Sequence, residues 1–424
     1  MTAATAAPPR ILTLDIVRGV AVMGILAMNI VAFGMPFQAY MNPAAFGAEG
    51  SADWASWLLS FILVDGKMRG LFSFLFGASM LLVIEGAEAK GQSAASIHYR
   101  RMAWLLVFGL LHLYLVWFGD ILASYALIGM IAWFFHGRSN RTLIRWGIGL
   151  LLVQLLIFSS LSAAAFMLRE AATAPGAPAE AITGWRELET GFGVLSPSQL
   201  ATELALYRGG YGGILLDRLR DDATAPLNAL LMFGWETLAY FLFGMAALRN
   251  GFLRGEWSTA AYRKTVLIGF GIGIPAYALL AWAIARDGFT VPMVFAVGMA
   301  ATVPFRPLMV IATAALIILL TRRGGALVER IAAAGRAAFT NYLGTSILMT
   351  TLFYGYGAGL YGSLSRAELW IPVLAVWALM LLWSKPWLDR FGYGPMEWLW
   401  RSLSRWEVQP MRKRPSAPAP APAE

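Results

Sequence analysis

The sequence predicts an all-α fold, a polytopic integral membrane bundle of about ten transmembrane helices with both termini cytoplasmic, and three observations carry that prediction. Of the 424 residues, 58% are hydrophobic and 13% charged, with mean hydropathy +0.63, whereas soluble domains carry roughly a quarter charged residues. Long apolar runs recur at lengths suited to a hydrocarbon core, which takes about 20 helical residues to cross. Lys and Arg are unevenly placed: 21 of the 33 fall in the termini and alternate loops, and 7 in the loops between. Cytoplasmic loops carry such an excess. The net charge of +9 therefore reads as topology on a lipid bilayer and gives no sign of nucleic-acid binding.

The apolar runs lie near 12–34, 66–86, 102–118, 119–135, 146–167, 228–248, 265–285, 293–320, 338–354 and 369–385. The start, MTAATAAPPRILTLDIVRG, reads as a retained first span, because Asp15 and Arg18 would interrupt the apolar core of a cleavable leader. Residues 54–64 read as a surface segment leading into the second span. Gly119 and Asp120 turn the third span tightly into the fourth, with Asp120 suited to cap the helix that follows. The eighth run is too long for one crossing and holds Pro304 and Pro307, which predicts a kink or a re-entrant segment.

The chain so divides into a five-helix half over 1–168, an external segment over 169–227, a second five-helix half over 228–406 and a disordered tail over 407–424, which ends PSAPAPAPAE. The external segment opens on an Ala/Pro linker. Ser196, Pro197 and Gln199 then spell a capping box with Pro at the first helical position, predicting a short helix over the outer mouth, either a connector or a lid. Near the C-terminus, Pro395, Glu397, Trp398, Trp400 and Arg401 predict an interfacial helix with Glu397 and Arg401 paired at four-residue spacing.

With no Cys and three His (His98, His112, His136), disulfides and a cysteine nucleophile are excluded and no metal site is expected. The candidates for chemistry are polar groups inside apolar spans. Asp15 and Arg18 lie three apart on one face and suit a structural pair. Lys67 and Arg69 are interface anchors or site-lining groups. His112 is a titratable group deep in a span, where a functional role is the default reading. Glu236, within the sixth span, needs a partner, and Lys67, Arg69 and His112 are the groups expected to supply it. Asn341 and Thr345 share a helical face, to cross-link helices or to touch a ligand.

Five strings carry a family resemblance: LDIVRGVAVMGILAMNI, GKMRGLFSFLFGAS, RRMAWLLVFGLLHLYLVWFGDILASYALIG, GRAAFTNYLGTS and SKPWLDRFGYGPMEWLWR. They resemble the YeiB-like family of bacterial inner-membrane proteins, whose C-terminal half is catalogued as a domain of unknown function. That resemblance implies a multi-pass protein of the bacterial inner membrane. More distantly, the LD-x-x-RG start is similar to that of the integral-membrane acyltransferases, the acyltransferase-3 and heparan-alpha-glucosaminide N-acetyltransferase groups. In the acyltransferase-3 pattern a catalytic His stands where this chain has Asn29, and a third Arg where it has Trp104. An amide is no base, so in an acyltransferase the base has moved to His112.

Two functional classes fit these residues. One is an acyltransferase taking an acyl group from a cytoplasmic donor such as acyl-CoA to an amine or hydroxyl acceptor, whether small molecule, lipid or glycan. Its catalytic candidates are His112, Asp120, Glu236 and Asn29, and Arg100, Arg101, Arg138 and Arg141 would hold the donor's phosphates. The other is a transporter using Glu236, His112 and Lys67. A lipid-binding or scaffold protein is a third class.

Overall fold

The computed structural model describes residues 11–221 and 224–413 and is helical throughout, with a single isolated β-bridge. The first ten residues and the PSAPAPAPAE tail lie outside the described residues. The N-terminal half comprises α1 (Leu12–Gly34), the short α2 (Gln38–Met41), α3 (Ser51–Leu63), α4 (Lys67–Glu88), α5 (Ala94–Leu115), α6 (Leu122–Ala132) and α7 (Asn140–Thr173). Three further helices follow, α8 (Ala179–Phe192), α9 (Pro197–Tyr207) and α10 (Tyr211–Asp221). The C-terminal half runs α11 (Ala225–Arg249), α12 (Thr259–Asp287), α13 (Val291–Met293), a π-helical turn Val294–Ala301, α14 (Arg306–Thr321), α15 (Ala326–Arg336), α16 (Ala338–Phe353), α17 (Trp370–Arg390) and α18 (Pro395–Arg405).

Local sequence accounts for where these helices start. Ser93, Ser139 and Ser258 each turn a hydroxyl onto the free N–H groups at the starts of α5, α7 and α12. Ser196 and Gln199 close the expected capping box on α9. Among the described residues, six helical stretches are long and apolar enough to cross a membrane: α1, the α3–α4 stretch Ser51–Glu88, α7, α11, α12 and α17. The segment from Val291 to Ala301 and α14 form a seventh if taken as one span, bent by 54° where Pro304 interrupts the helix. The other three expected spans coincide with α5, α6 and α16, which pack beside these.

Small residues set the tightest packing. A Cβ on Gly77 of α4 would lie 2.1 Å from the Phe241 carbonyl oxygen of α11, and one on Gly244 of α11 would lie 1.8 Å from that of Phe74. Neither backbone leaves room for a side chain, so the two helices meet at main-chain contact. Gly19 of α1 and Gly335 of α15 make the same reciprocal approach, to Ile331 and Asp15. Helix α15 falls in a stretch that reads from sequence as a loop.

Helices α8–α10 cover one end of the bundle and are tied to it. The Phe37 N–H donates to Glu203 (3.3 Å), Gln38 to the Thr190 carbonyl (2.9 Å), Arg208 Nε to the Tyr361 carbonyl (2.7 Å) and the Tyr211 hydroxyl to the Leu115 carbonyl (2.8 Å). Burial holds the Glu203 carboxyl above the usual range, against hydrogen bonds from the Tyr361 hydroxyl and the Phe37 N–H. At the other end the expected Glu397–Arg401 pair is not formed among the described residues. Glu397 instead caps α16, accepting from the Phe339 N–H (2.6 Å), the Thr340 N–H (3.1 Å) and the Thr340 hydroxyl (2.6 Å), and Arg401 turns to the Tyr393 hydroxyl (3.3 Å). A helix start offers free N–H donors to a carboxylate, which a four-residue ion pair at an interface does not match. Residues 408–413 pack back on the bundle: Trp398 donates to the Gln409 carbonyl (2.6 Å) and the Gly392 N–H to that of Met411 (2.9 Å).

Candidate functional site

Two polar centres are buried in the bundle. The first forms where α5 turns into α6. Trp117, fully buried in the turn, stacks on Phe33 of α1 with ring centroids 3.8 Å apart, which pins the connection. Just before it, His112 Nδ1 meets Asp120 Oδ1 at 2.8 Å, and the other Asp120 oxygen accepts from the Ala123 N–H at 2.8 Å. Asp120 thus caps α6 and orients the imidazole with the same carboxylate. The network assigns the proton to Nδ1, which leaves a lone pair on Nε2. That Nε2 atom is buried and has no hydrogen-bond partner among the described residues.

The Tyr342 ring of α16 lies 5.2 Å from the imidazole, and its hydroxyl accepts from the Ile121 N–H at 3.2 Å. Tyr342 also walls a narrow crevice between α1 and α16, together with Asn29, Phe33, Thr345 and Ser346, with room for about one water. Asn29 and Thr345 are therefore brought to the edge of the His112 centre.

The second centre surrounds Glu236. Its carboxylate is fully buried and takes Arg69 Nη2 at 2.7 Å and Arg306 Nη1 at 2.6 and 2.7 Å; Arg306 Nη2 donates onward to the Thr302 hydroxyl at 2.6 Å. Arg69 is among the expected partners; Lys67 and His112 are not used. Lys67 instead donates to the Phe61 carbonyl, with its Nζ 3.5 Å over the Tyr277 ring. Nearer the covered end, Asp65 and Arg366 line a second small crevice with Tyr40, Ser56 and Ser60.

The remaining candidates are structural or lie apart. Arg18 pairs with Asp15 at 3.2 Å and reaches the Ser79 hydroxyl at 2.6 Å, joining α1 to α4. Asn341 joins three helices, donating to the Ala334 carbonyl (3.0 Å) and Ser384 (3.3 Å) and accepting from Trp383 (2.9 Å). Arg100 bonds back to the Ser96 carbonyl at 3.2 Å. Arg101 lies 4.1 Å from the Trp400 ring, and the charges beside it are Arg401 and Arg405 of α18. Arg138 and Arg141 are exposed on the α6–α7 connection and are not among the charges beside Arg101. Tyr342, Asp65, Arg306 and Arg366 are missed by sequence reasoning. Arg306 carries the clearest signal, a charge inside an apolar run.

Comparison with known proteins places the chain. A family model described as a protein of unknown function (DUF418) matches residues 247–407. The chain is 35% identical to the uncharacterized protein YeiB of Escherichia coli K12 over 412 residues, covering 93% of this chain and 96% of that protein. The chain belongs to the YeiB family. The uncharacterized protein YxaH of Bacillus subtilis is 31% identical to this YeiB-family chain over 420 residues, covering 96% of each. No solved structure matches. The DUF418 region of this YeiB-family chain holds Arg306, Tyr342 and Thr345, whereas His112, Asp120, Arg69 and Glu236 precede it. Each polar centre draws on both parts, so the site is a property of the whole YeiB-family chain.

Proposed function

We propose that this YeiB-family protein is a membrane-embedded acyltransferase with His112 as general base and Asp120 as the residue that orients it. The observation that carries the reading is the buried Nε2 of His112, open for a proton while Nδ1 is held on Asp120. A base held in one tautomer beside a crevice is the arrangement that activates a hydroxyl or amine. The acceptor gives its proton to Nε2 as its oxygen or nitrogen attacks the thioester carbonyl of an acyl-CoA. The tetrahedral intermediate collapses with loss of the CoA thiolate, which takes the proton back from the imidazolium. Arg100, Arg101, Arg401 and Arg405 gather at the end away from the lid, and such guanidinium groups suit CoA phosphates. Glu236 is gripped by two guanidinium groups through three short bonds, which favours a fixed anchor over the mobile proton carrier of a transporter.

The test is acyl-CoA binding and acyl transfer by purified protein in native membrane lipid. His112→Ala is expected to abolish transfer and keep donor binding, Asp120→Asn to slow transfer by about 10²–10⁴-fold, and Arg101→Ala to weaken donor binding. Wild-type protein that binds no acyl-CoA, or full transfer by His112→Ala, overturns the reading.

A further inference from the structure

We propose that Arg218, on helix α10 of the lid, is the recognition residue of an oxyanion site, and, resting on the reading above, that the phosphate or carboxylate it binds belongs to the acyl acceptor. Arg218 is 1% exposed, and its Nε, Nη1 and Nη2 are all buried without a hydrogen-bond partner among the described residues. Its guanidinium lies 5.8 Å from the Tyr354 ring. The Tyr354 hydroxyl lies beside the guanidinium and interacts with it, while neither group completes a well-formed hydrogen bond among the described residues.

A buried guanidinium with no carboxylate on it among the described residues lacks the compensation that burial of a charge calls for. Two other arginines show the contrast: Arg306 grips Glu236, and Arg208 donates to the Tyr361 carbonyl at 2.7 Å and Ser363 at 3.3 Å. Arg218 differs from them in that its donor fork meets the neutral Tyr354 phenol and no anion among the described residues. A pair of oxygens on one phosphorus or carbon matches that fork.

The position ties the site to His112. Helix α10 rests on the end of α5 through Tyr211 and Leu115 (2.8 Å), and the next turn inward on α5 carries His112. Tyr354 terminates α16, the helix that carries Tyr342 beside the imidazole. Tyr342 to Tyr354 is a rise of roughly 18 Å along that helix. An acceptor anchored by its oxyanion under the lid and reacting at His112 is thus an elongated molecule entering from the lid end.

Asp221 and Asp222 follow Arg218 at helical spacing in the sequence and are the internal alternative. The experiment measures thermal midpoints of detergent-purified full-length wild type, Arg218→Met, Arg218→Lys and an Asp221→Asn/Asp222→Asn double variant, with and without millimolar inorganic phosphate. The same proteins are then measured in phosphatidylcholine nanodiscs with and without phosphatidylglycerol. An anion should raise the wild-type midpoint by about 2 °C or more, the Lys variant by less and Arg218→Met not at all. Without anion Arg218→Met should match or exceed wild type, since it removes an uncompensated charge. A response to free phosphate identifies a soluble ligand, and one to phosphatidylglycerol alone a lipid headgroup; either supports the site. No wild-type response, an equal response in Arg218→Met, or loss of midpoint in the Asp double variant equal to that of Arg218→Met overturns it. The readout needs no turnover: an anion response that survives in a protein without transfer refutes the acyltransferase reading alone, and transfer without an Arg218-dependent response refutes the anion site alone.

Discussion

Glu236 shows how a single residue commits its surroundings. A carboxylate inside an apolar span demands a cation or water, and that demand is visible in the sequence, as is one of the two cations that meet it. Arg69 stands in a polar string at the start of α4; Arg306 is concealed between Pro304 and Pro307, where the break in the helix brings an arginine from the far half of the chain onto Glu236. Removing one partner of a buried pair costs about 3–5 kcal/mol because the other charge is stranded. Glu236→Gln strands two, so it should lower stability by about 3 kcal/mol or more. Arg306→Gln should cost more than Arg69→Gln, since the Arg306 side chain is 7% exposed and that of Arg69 is 17%. A Glu236→Gln/Arg306→Met double variant should recover part of the loss. Unfolding followed by tryptophan fluorescence in detergent checks the order, and a double variant weaker than the sum of both single changes would contradict the ion-pair account. His112 stands out in the sequence as the lone histidine deep in a span, whereas its free Nε2 depends on how tightly the α5–α6 turn folds Asp120 back.

At the scale of elements, the helices that sequence reading places well are those whose apolar faces meet lipid or the core. Among those it passes over, α15 is amphipathic and buries Ala332, Ala333, Ala334 and Gly335. Small residues contribute little hydropathy, yet they permit the backbone approach at Gly19 and Gly335. The α4–α11 crossing depends on the same device. Gly244→Leu or Gly77→Leu would drive a side chain into a facing carbonyl and should destabilise by about 3 kcal/mol or prevent assembly, beyond ordinary overpacking. Gly86, on the same α4, faces open space, with nothing within 4 Å of where a Cβ would stand, and Gly86→Ala should be neutral or slightly stabilising. Thermal midpoints of the three variants decide: equal loss in all of them would mean that glycine at these positions acts through flexibility and not through contact.

For the whole molecule the governing quantity is how many times the chain crosses the bilayer. Among the described residues six stretches qualify by length and hydropathy and a bent pair gives a seventh; a ten-crossing path would need α5, α6 and α16 as the rest. These three read weakly for a physical reason: α5 holds His98, Arg100, Arg101 and His112, α6 has 11 residues, and α16 holds Asn341, Thr345, Ser346 and Thr350. Helices that build a polar centre are shielded by their neighbours and need less apolar surface of their own. The side of each end follows from contacts. The segment after α1 touches the lid, with the Phe37 N–H on Glu203 at 3.3 Å, so residues 50 and 200 should lie on one side of the membrane. Helix α4 separates residue 50 from residue 95, which should lie opposite, and the Lys and Arg excess assigns residue 95 to the cytoplasm. Reporter fusions after residues 50, 95 and 200 should therefore read outside, inside and outside. Opposite readings at 50 and 200 would break the lid assignment, while a cytoplasmic signal at both would keep the bundle and invert it, placing the Arg101 cluster out of reach of cytoplasmic acyl-CoA.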